Sequence, residues 1–498
     1  GARVAGPVQP RLRLVTVRPV AGAGTHATAQ ALRALPQVQT VEVERRHSLR
    51  LQPDDPALTT PEATPGTPPG TVVQWWAARQ NLPAMWDITR GGGATVAVID
   101  TGIDGTHPEL APKLVGAIDN DATAGRGGAT TDEVGHGTHV ASLACAGSGN
   151  TMGLAGAGLD CRLLVIKSDL SDSSIATSIT QAVDRGADAI NMSFGTDGSQ
   201  PAATPIVRAI DYAVERGVVL VAAAADEPVQ EQGDPSNVLQ PSGSGADITQ
   251  GKGLSVTAAN FADQRAPFAG LGSQISMAAY GAFGTGTGPR GIFGAFPQNL
   301  TELERPSLIS AGCNCRTTFN ADNRYAYVQG TSMAAPMVAA VAAVIRRLNP
   351  DLPAAESIRI LKETASRPPG SGWNADLGWG ILNGGAAASV ARIVDRRPPR
   401  SSVQTTARVV KGRTVTLRLR SSDKAPPGCV PSGLRRVEVW RATNGAKARR
   451  VRTTSAASVR LPVKRGSRYT FFTIAVDRAG NREAVPSAPD TTVRSARR

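Results

Sequence analysis

The distribution of apolar residues predicts that strands and helices alternate through the central part of the chain. Leu163–Ile166, Ala187–Met192 and Val218–Ala224 are short apolar runs of the kind that form buried strands. Ser178–Arg185 and Ile206–Arg216, which lie between them, have the pattern of helices. Such alternation predicts an α/β fold, with a parallel sheet covered by helices on both faces.

The N-terminal part has a different pattern. Arg11–Arg18 and Val38–Val43 alternate apolar with polar residues, as half-buried strands do, and Thr25–Leu35 has the pattern of a capped amphipathic helix. These features predict a small α+β unit over residues 1–52. Residues 53–70 contain six prolines, which predicts a stiff, exposed linker where processing is expected.

The C-terminal part is predicted to be all β. Thr414–Arg420 alternates strictly between polar and apolar residues, Tyr469–Val476 has the pattern of a further strand, and turn residues follow that run. We therefore predict a small β-sandwich over residues 396–498. The α/β domain is assigned to residues 71–395.

Charge is distributed unevenly along the 498 residues. Residues 396–498 contain 25 Lys and Arg against 5 Asp and Glu, whereas the rest of the chain contains 29 against 35. A net charge of +20 on the last unit indicates an anionic partner, such as a cell-wall polymer, a membrane surface or an acidic substrate; solubility alone is the simpler explanation. Nucleic acid fits less well, because no recognised nucleic-acid module is evident.

The five cysteines give weak limits on the redox environment. Cys145 and Cys161 are candidates for pairing, Cys313 and Cys315 lie close together in an insertion, and Cys429 is isolated. An odd number leaves at least one thiol unpaired within the chain. No apolar run reaches the roughly 18 residues of a membrane span. The first residues show no signal-peptide pattern, so we expect that a leader has been removed or omitted.

Three segments contain residues that are typical of nucleophilic catalysis. Asp100 ends the apolar run Thr95–Ile99, His136 begins the segment His-Gly-Thr-His, and Ser332 lies in Gly-Thr-Ser-Met-Ala-Ala-Pro. Taken singly, the aspartate could be a turn residue, the histidine a loop residue and the serine a helix cap. Taken together, they supply an acid, a base and a nucleophile in one of the known chain orders of a serine-protease triad.

These segments resemble the three motifs of the subtilases, the subtilisin-like serine endopeptidases, and the resemblance extends from about Trp75 to about Gly385. It implies that Ser332 is the nucleophile, His136 the general base and Asp100 the carboxylate that orients the base. The family motif assigns the base to the first histidine of His-Gly-Thr-His, so His139 is the rival candidate. A zinc protease is disfavoured, because the chain contains no His-Glu-x-x-His.

The same resemblance points to the residues that hold the substrate and the oxyanion. It implies that Ser193, Phe194 and Gly195 pair with an extended substrate. The asparagine that usually donates a hydrogen bond to the oxyanion is aligned with Asp226. An ionised aspartate cannot donate, whereas a protonated one can, and burial and nearby acids would favour that form. We expect weakened or acid-shifted activity. The alternative is an inactive scaffold whose basic sandwich binds anionic surface polymers.

The remaining expectations also follow from resemblance. Residues 1–52 resemble an inhibitory propeptide, so the chain would be a zymogen and its own N-terminal segment a partner of the protease. The last unit resembles an immunoglobulin- or fibronectin-type sandwich. Calcium is common in the family, but the Gly147–Gly156 loop is short for the usual high-affinity site, so no metal ligand is assigned. Family and architecture imply secretion, while cleavage preference, processing site and oligomeric state stay open.

Overall fold

The computed structural model divides into two compact units, Gly1–Leu51 and Gln52–Arg498. It describes residues 2–5, 8, 11, 13–20, 25–42, 53–123, 125–284, 286–306, 311–366, 372–405, 407–427 and 429–497.

The first unit contains a two-stranded antiparallel sheet, β1 (Ala2–Val4) with β2 (Val17–Pro19), and helix α1 (Thr25–Arg33). The strand predicted over Arg11–Arg18 is therefore found only at its end, where β2 begins at Val17. The strand β1, which pairs with β2, is three residues long. The strand predicted over 38–43 is wrong for residues 38–42: the Val38 N–H closes a turn onto the Leu35 carbonyl, and no strand pairs with the segment that follows in the described chain. Val43 lies outside the described residues.

The second unit is built on a seven-stranded sheet in the order β4-β5-β3-β6-β7-β8-β9, in which every pair is parallel. The strands are β3 (Thr95–Asp100), β4 (Leu114–Asn120), β5 (Arg162–Ser168), β6 (Ala189–Met192), β7 (Val219–Ala223), β8 (Leu254–Ala259) and β9 (Met277–Tyr280). The predicted α/β class is confirmed. The carboxyl ends of these strands lie at one edge of the sheet, where sites in such folds are built.

Helices cover both faces of this sheet. On one face lie α4 (His136–Cys145) and α8 (Thr331–Leu348), and on the other α5 (Asp172–Asp184) and α6 (Thr204–Glu215). By length and composition α8 could cross a membrane, which the sequence pattern did not suggest, but 89% of its apolar window is buried inside the protein. A helix that is apolar all round and enclosed by other elements is a core helix.

Smaller elements complete this domain. The helices are α2 (Trp75–Arg79), α3 (Leu82–Ile88), α7 (Ser236–Leu239), α9 (Ala354–Thr364) and α10 (Gly384–Ile393). A separate antiparallel sheet consists of β10 (Ile292–Ala295), β11 (Arg316–Phe319) and β12 (Asp322–Val328). Cys145 is bonded to Cys161 and Cys313 to Cys315, while Cys429 is free.

Residues 53–70 are packed against the α/β domain in their first part, which differs from the exposed linker that the prolines predict. Asp55 is 1% exposed and Ala57 is fully buried. The Ala57 N–H donates to the Gly153 carbonyl, and the Gly149 N–H donates to Asp55 Oδ2 at 2.9 Å. Buried backbone and carboxyl groups need such partners, so this segment forms part of the domain.

The C-terminal residues form two packed sheets, as predicted for a β-sandwich. The three-stranded sheet has the order β13-β15-β18 and the five-stranded sheet the order β14-β20-β19-β16-β17. The strands are β13 (Arg400–Thr405), β14 (Val409–Val410), β15 (Thr414–Ser422), β16 (Leu434–Thr443), β17 (Arg449–Thr454), β18 (Ser458–Pro462), β19 (Arg468–Asp477) and β20 (Thr491–Ser495). Side chains such as Leu417, Val439 and Phe471 fill the space between the sheets.

Candidate active site

Asp100 and His136 are in direct contact at the carboxyl edge of the central sheet. Asp100 is the last residue of β3 and is 2% exposed, and His136 is the first residue of α4. The Nδ1–H of His136 donates to Asp100 Oδ1 at 2.8 Å. This approach requires Gly137, because a Cβ there would lie 2.1 Å from the Gly102 carbonyl oxygen. The contact leaves Nε2 as the free nitrogen of the imidazole.

The charges around His136 determine its basicity. Burial by itself lowers the pKa of His136, but the negative charges of Asp100, Asp132 and Asp226 and the hydrogen bond to Asp100 outweigh it. The pKa of His136 is therefore raised above its ordinary value. A carboxylate that faces an imidazole in this way stabilises the imidazolium that forms when the base accepts a proton.

Ser332 lies in the first turn of α8 and reaches the same edge of the sheet. Strands β3 and β6 are neighbours with Ile99 opposite Met192, so Ser193, the next residue after β6, lies beside Asp100. Ser332 Oγ donates to the Ser193 carbonyl oxygen at 3.0 Å, and Ser193 Oγ donates to the Ser332 carbonyl oxygen at 2.9 Å. The structure thus places Asp100, His136 and Ser332 around the ends of two adjacent strands.

Asp226 lies at the N-terminus of α8, next to Ser332. Its Oδ1 accepts the Thr331 backbone N–H at 2.7 Å and lies 2.9 Å from Thr331 Oγ1. A Cβ on Gly330 would lie 2.9 Å from Asp226 Oδ2, so the carboxylate closely approaches the backbone at Gly330. Asp226 is exposed, as are Glu227 and Glu231, so the burial expected from the sequence is not found. A helix N-terminus favours negative charge.

Asp132 is a further buried carboxylate of the site, which the sequence patterns did not single out. It is 6% exposed and binds the first turn of α4. Its Oδ2 accepts from the N–H and hydroxyl of Thr138 at 2.8 and 2.6 Å, and its Oδ1 accepts from Gly135 N–H and Thr101 Oγ1 at 2.8 and 2.9 Å. Burial raises the pKa of Asp132 despite these bonds. The signal was the sequence Thr-Asp-Glu-Val-Gly just before His136.

Two other histidines have structural surroundings. His139 is fully buried, and its Nε2 donates to the Ile292 carbonyl oxygen at 3.0 Å; burial lowers its pKa to about 4. His107 is fully buried too, with Nε2 donating to the Arg324 carbonyl oxygen at 2.9 Å. His139 connects α4, and His107 the loop between β3 and β4, to the separate sheet β10–β12. Both pKa values are lowered by burial, so both rings remain neutral at physiological pH.

The segment Ser193-Phe194-Gly195 follows β6 and begins beside Ser332. Ser193 is 3% exposed, Phe194 is half-buried against the α5–α6 side of the core, and Gly195 is exposed. The Thr196 N–H donates to the Asp234 carbonyl oxygen at 3.0 Å, which ties the end of this segment to the loop after β7. An extended peptide could pair with the exposed backbone at Gly195.

A second cluster of buried oxygen atoms surrounds the loop Gly147–Gly156. Glu109 is fully buried; Oε2 accepts from Asn150 Nδ2 at 3.0 Å and Oε1 from Leu154 N–H at 3.1 Å. Burial, with a smaller contribution from the charge of Asp55, raises the pKa of Glu109 to about 7. Asp55 Oδ1 is a buried oxygen for which the described part of the chain offers no hydrogen-bond partner.

Comparison with known proteins identifies relatives for this arrangement. The model of the Subtilase family matches residues 91–380. Thermitase of Thermoactinomyces vulgaris is 30% identical over 291 residues, which are 57% of this chain and 85% of thermitase. The extracellular protease of Xanthomonas campestris pv. campestris is 30% identical over 401 residues, 72% of this chain and 60% of that protein.

A third relative, the thermophilic serine proteinase of Bacillus sp. (strain AK1), is 32% identical over 271 residues, 52% of this chain and 54% of that protein. The chain therefore spans most of thermitase but less than two thirds of the other two relatives. Among solved structures, a protease from Pseudoalteromonas arctica PAMC 21717 superposes with a TM-score of 0.53 and 28% identity, covering 66% of this chain and all of that one.

Proposed function

The chain belongs to the subtilase family of serine endopeptidases, and we propose that it hydrolyses peptide bonds through an acyl-enzyme on Ser332. The observation that carries this proposal is the 2.8 Å bond between His136 Nδ1 and Asp100 Oδ1 at the sheet edge that also holds Ser332. Because the Nδ1–H of His136 donates to Asp100, the neutral imidazole carries its proton on Nδ1 and presents an unprotonated Nε2. That nitrogen is the required proton acceptor.

In the first step, Ser332 Oγ attacks the carbonyl carbon of the scissile bond while its proton passes to His136 Nε2. For this the hydroxyl leaves the Ser193 carbonyl oxygen, which is its partner in the structure. The imidazolium then gives the proton to the leaving amine as the peptide bond breaks. Water repeats the sequence on the ester, with His136 as base, and releases the acid.

Two groups would hold the oxyanion that forms in both steps. The Ser332 backbone N–H at the start of α8 is one donor, and protonated Asp226 is the other. In support, Asp226 lies against Gly330 and Thr331, the two residues before the nucleophile. An extended substrate would lie along Ser193, Phe194 and Gly195, where backbone pairing positions its carbonyl near Ser332.

The alternative function is an inactive scaffold, and one observation favours it. Asp226 Oδ1 accepts the Thr331 N–H, so an ionised Asp226 caps α8 and would repel the oxyanion rather than bind it. A fluorophosphonate that labels activated serines separates the two functions. We expect labelling of the wild type and none of Ser332→Ala, while His136→Ala tests dependence on the base. Wild type from which the first unit has been cleaved off, if it stays unlabelled from pH 4 to 9, would favour the scaffold.

We also propose that the chain is a secreted zymogen. The relative named extracellular protease supports an extracellular setting. The first unit, Gly1–Leu51, would be the inhibitory segment that keeps the protease inactive until it is cleaved off. Its separation from the rest of the chain as a compact unit supports this role.

Calcium would have a structural role. The buried oxygens of Asp55 and Glu109 are the hard ligands that calcium prefers, and Asp55 Oδ1 has no other partner in the described chain. Half-buried Asn150 lies beside them and bonds to Glu109. We propose that these three residues would hold the ion despite the short loop. Its charge would offset two neighbouring carboxylates and stabilise the loop Gly147–Gly156, with no part in bond cleavage.

The C-terminal sandwich would retain the enzyme on an anionic polymer outside the cell. The supporting observation is that 25 Lys and Arg against 5 Asp and Glu lie beyond residue 395, whereas every proposed catalytic residue lies before it. Charge segregated on a unit without catalytic groups favours retention over a direct effect on turnover.

A further inference from the structure

The three-stranded sheet of the C-terminal sandwich has one buried and one exposed face. Val403, Leu417 and Val459 point into the core, so the alternate residues of β13, β15 and β18 point outwards. This outer face consists of Arg, Ser, Thr and Gln side chains, with a single proline at its end. Its residues are Arg400, Ser402, Gln404, Thr414, Thr416, Arg418, Arg420, Ser422, Ser458, Arg460 and Pro462.

The strand register arranges the arginines of this face as a regular stripe. Arg400 lies opposite Ser422, Arg420 opposite Ser402, and Arg418 opposite both Gln404 and Ser458. Arg460 lies opposite Thr416. Each of four successive levels of the sheet therefore carries one arginine. Successive outward residues are about 7 Å apart along a strand, so the stripe runs diagonally across the sheet for roughly 20 Å.

No carboxylate neutralises the arginines of this stripe. All four arginines are exposed, and within the described chain none of them forms an ion pair. The carboxylates of Glu483 and Asp490 accept the backbone N–H groups of Ser401 and Val403, on the same strand as Arg400.

Part of the other sheet differs in this respect. Arg436, Arg450 and Arg482 all lie within 3.6 Å of the buried carboxylate of Glu438, which offsets part of their charge. What distinguishes the stripe is therefore the regular alignment of four arginines, one at each level of the sheet.

We propose that this stripe, Arg400–Arg420–Arg418–Arg460, binds a linear polyol-phosphate polymer with one phosphodiester per repeat. The proposal rests on the polymer-binding role given above and names its surface. The guanidinium fork matches phosphate oxygens bidentately, and each arginine has a hydroxyl or amide side chain beside it that can bond to a polyol. The face carries no aromatic or large apolar side chain, which disfavours stacked bases and membrane insertion.

The test uses the full chain with Ser332→Ala, so that autolysis is absent, and poly(glycerol phosphate) as the probe. The stripe variant is Arg418→Ser with Arg420→Ser and Arg460→Ser. The control variant removes the same charge from exposed positions of the other sheet, through Arg435→Ser, Arg449→Ser and Arg452→Ser. The dissociation constant is measured between 50 and 200 mM salt, with thermal unfolding as the check on folding.

We expect the stripe variant to bind at least about tenfold more weakly, with the slope of log Kd against log salt reduced by about 2 to 3. The control should change little. Replacing the same three stripe arginines by lysine keeps the charge but loses the guanidinium fork, so we expect an intermediate affinity. This lysine variant also keeps the test decisive if the serine variant does not fold. Equal losses in stripe and control variants would overturn the proposal.

Two further arms identify the ligand and separate this proposal from the broader one. Tighter stripe-dependent binding of single-stranded DNA or of phosphatidylglycerol vesicles would overturn the choice of polymer. If binding is lost only in a variant with all six substitutions, the stripe is not the binding surface. The proposal that the sandwich retains the enzyme on the polymer still holds in that case. If the Ser332→Ala parent protein does not bind the polymer at 50 mM salt, both proposals fail. Peptide cleavage by active protein tests the protease function separately.

Discussion

The backbone N–H of Thr331 donates to Asp226 Oδ1 at 2.7 Å, one residue before Ser332 in the chain. This bond fixes a carboxyl group where the subtilase resemblance leads us to expect a side-chain amide. The same group contributes to the raised pKa of His136. Asp226 therefore links the start of the nucleophile helix to the proposed base, and its protonation state affects both.

We predict that the acid limb of wild-type turnover lies at higher pH than an ordinary histidine would give. His136 must be neutral to act as base, and its raised pKa moves this limb upwards. The profile of kcat/KM for one peptide substrate between pH 4 and 10 measures the limb. A limb at or below the pH expected for an ordinary histidine would contradict the prediction.

Asp226→Asn should supply an amide donor to the oxyanion and remove a negative charge near His136. Activity near neutrality should rise by roughly a hundredfold, and the acid limb should move to lower pH. Asp226→Ala is the matched control: it also removes the charge but offers no donor, so it should stay poor at every pH. Superimposable Asp and Asn profiles would show that Asp226 is not the oxyanion residue.

Asp132 is predicted to position α4 and to raise the basicity of His136. Asp132→Asn should lower the free energy of unfolding by about 2 kcal/mol, since a buried acceptor of several hydrogen bonds is altered. It should also move the acid limb of kcat/KM to lower pH, because a charge that raises the pKa of His136 is lost. Thr138→Val loses one bond to Asp132 but keeps the charge, so it should destabilise the protein without moving that limb. If the acid limb of kcat/KM is unchanged in both variants, the role of Asp132 is purely structural.

Glu109 should make stability depend on pH when calcium is absent. Its pKa is about 7 in the folded protein against 4.5 for an ordinary glutamate. Its contribution is therefore fully present below about pH 4.5 and is lost as the pH rises through 7. In EDTA, the Tm of the wild type should fall over this interval relative to that of Glu109→Gln. Calcium binds the ionised form, so it should raise the wild-type Tm more at pH 8 than at pH 5. Parallel Tm curves for the two proteins, with and without calcium, would contradict both expectations.

Maturation is predicted to cleave the chain close to residue 53, at the start of the proline-rich segment. Cleavage further along would detach the buried residues Asp55 and Ala57 from the loop that they support. N-terminal sequencing of secreted wild-type protein, beside Ser332→Ala, measures the site and shows whether cleavage requires the nucleophile. A fully active wild type that retains Gly1 would rule out the inhibitory role of the first unit.

Local pattern was sufficient for the elements of the core. Apolar runs such as Leu163–Ile166 become fully buried strands because a strand with both faces covered has to be apolar throughout. The pattern of apolar residues gave a wrong prediction where the apolar side chains are not buried in the structure. Val38–Val43 alternates like a strand, yet its described residues pair with no neighbour and stay mostly exposed. Alternation states which side chains could be buried, and only a partner strand supplies the hydrogen bonds.

The sequence by itself determined the family, the class of fold and the candidates Asp100, His136 and Ser332. Motifs and apolar patterns are local features of the chain, so they can be recognised without the fold. Only the tertiary structure decided which groups surround them. Asp132 joins the site through hydrogen bonds to the first turn of α4, and Asp226 proves exposed rather than buried. Charge composition located the basic unit, but the strand register alone aligned Arg400, Arg418, Arg420 and Arg460. Solvation, burial and register depend on distant segments meeting in space, and no local pattern contains them.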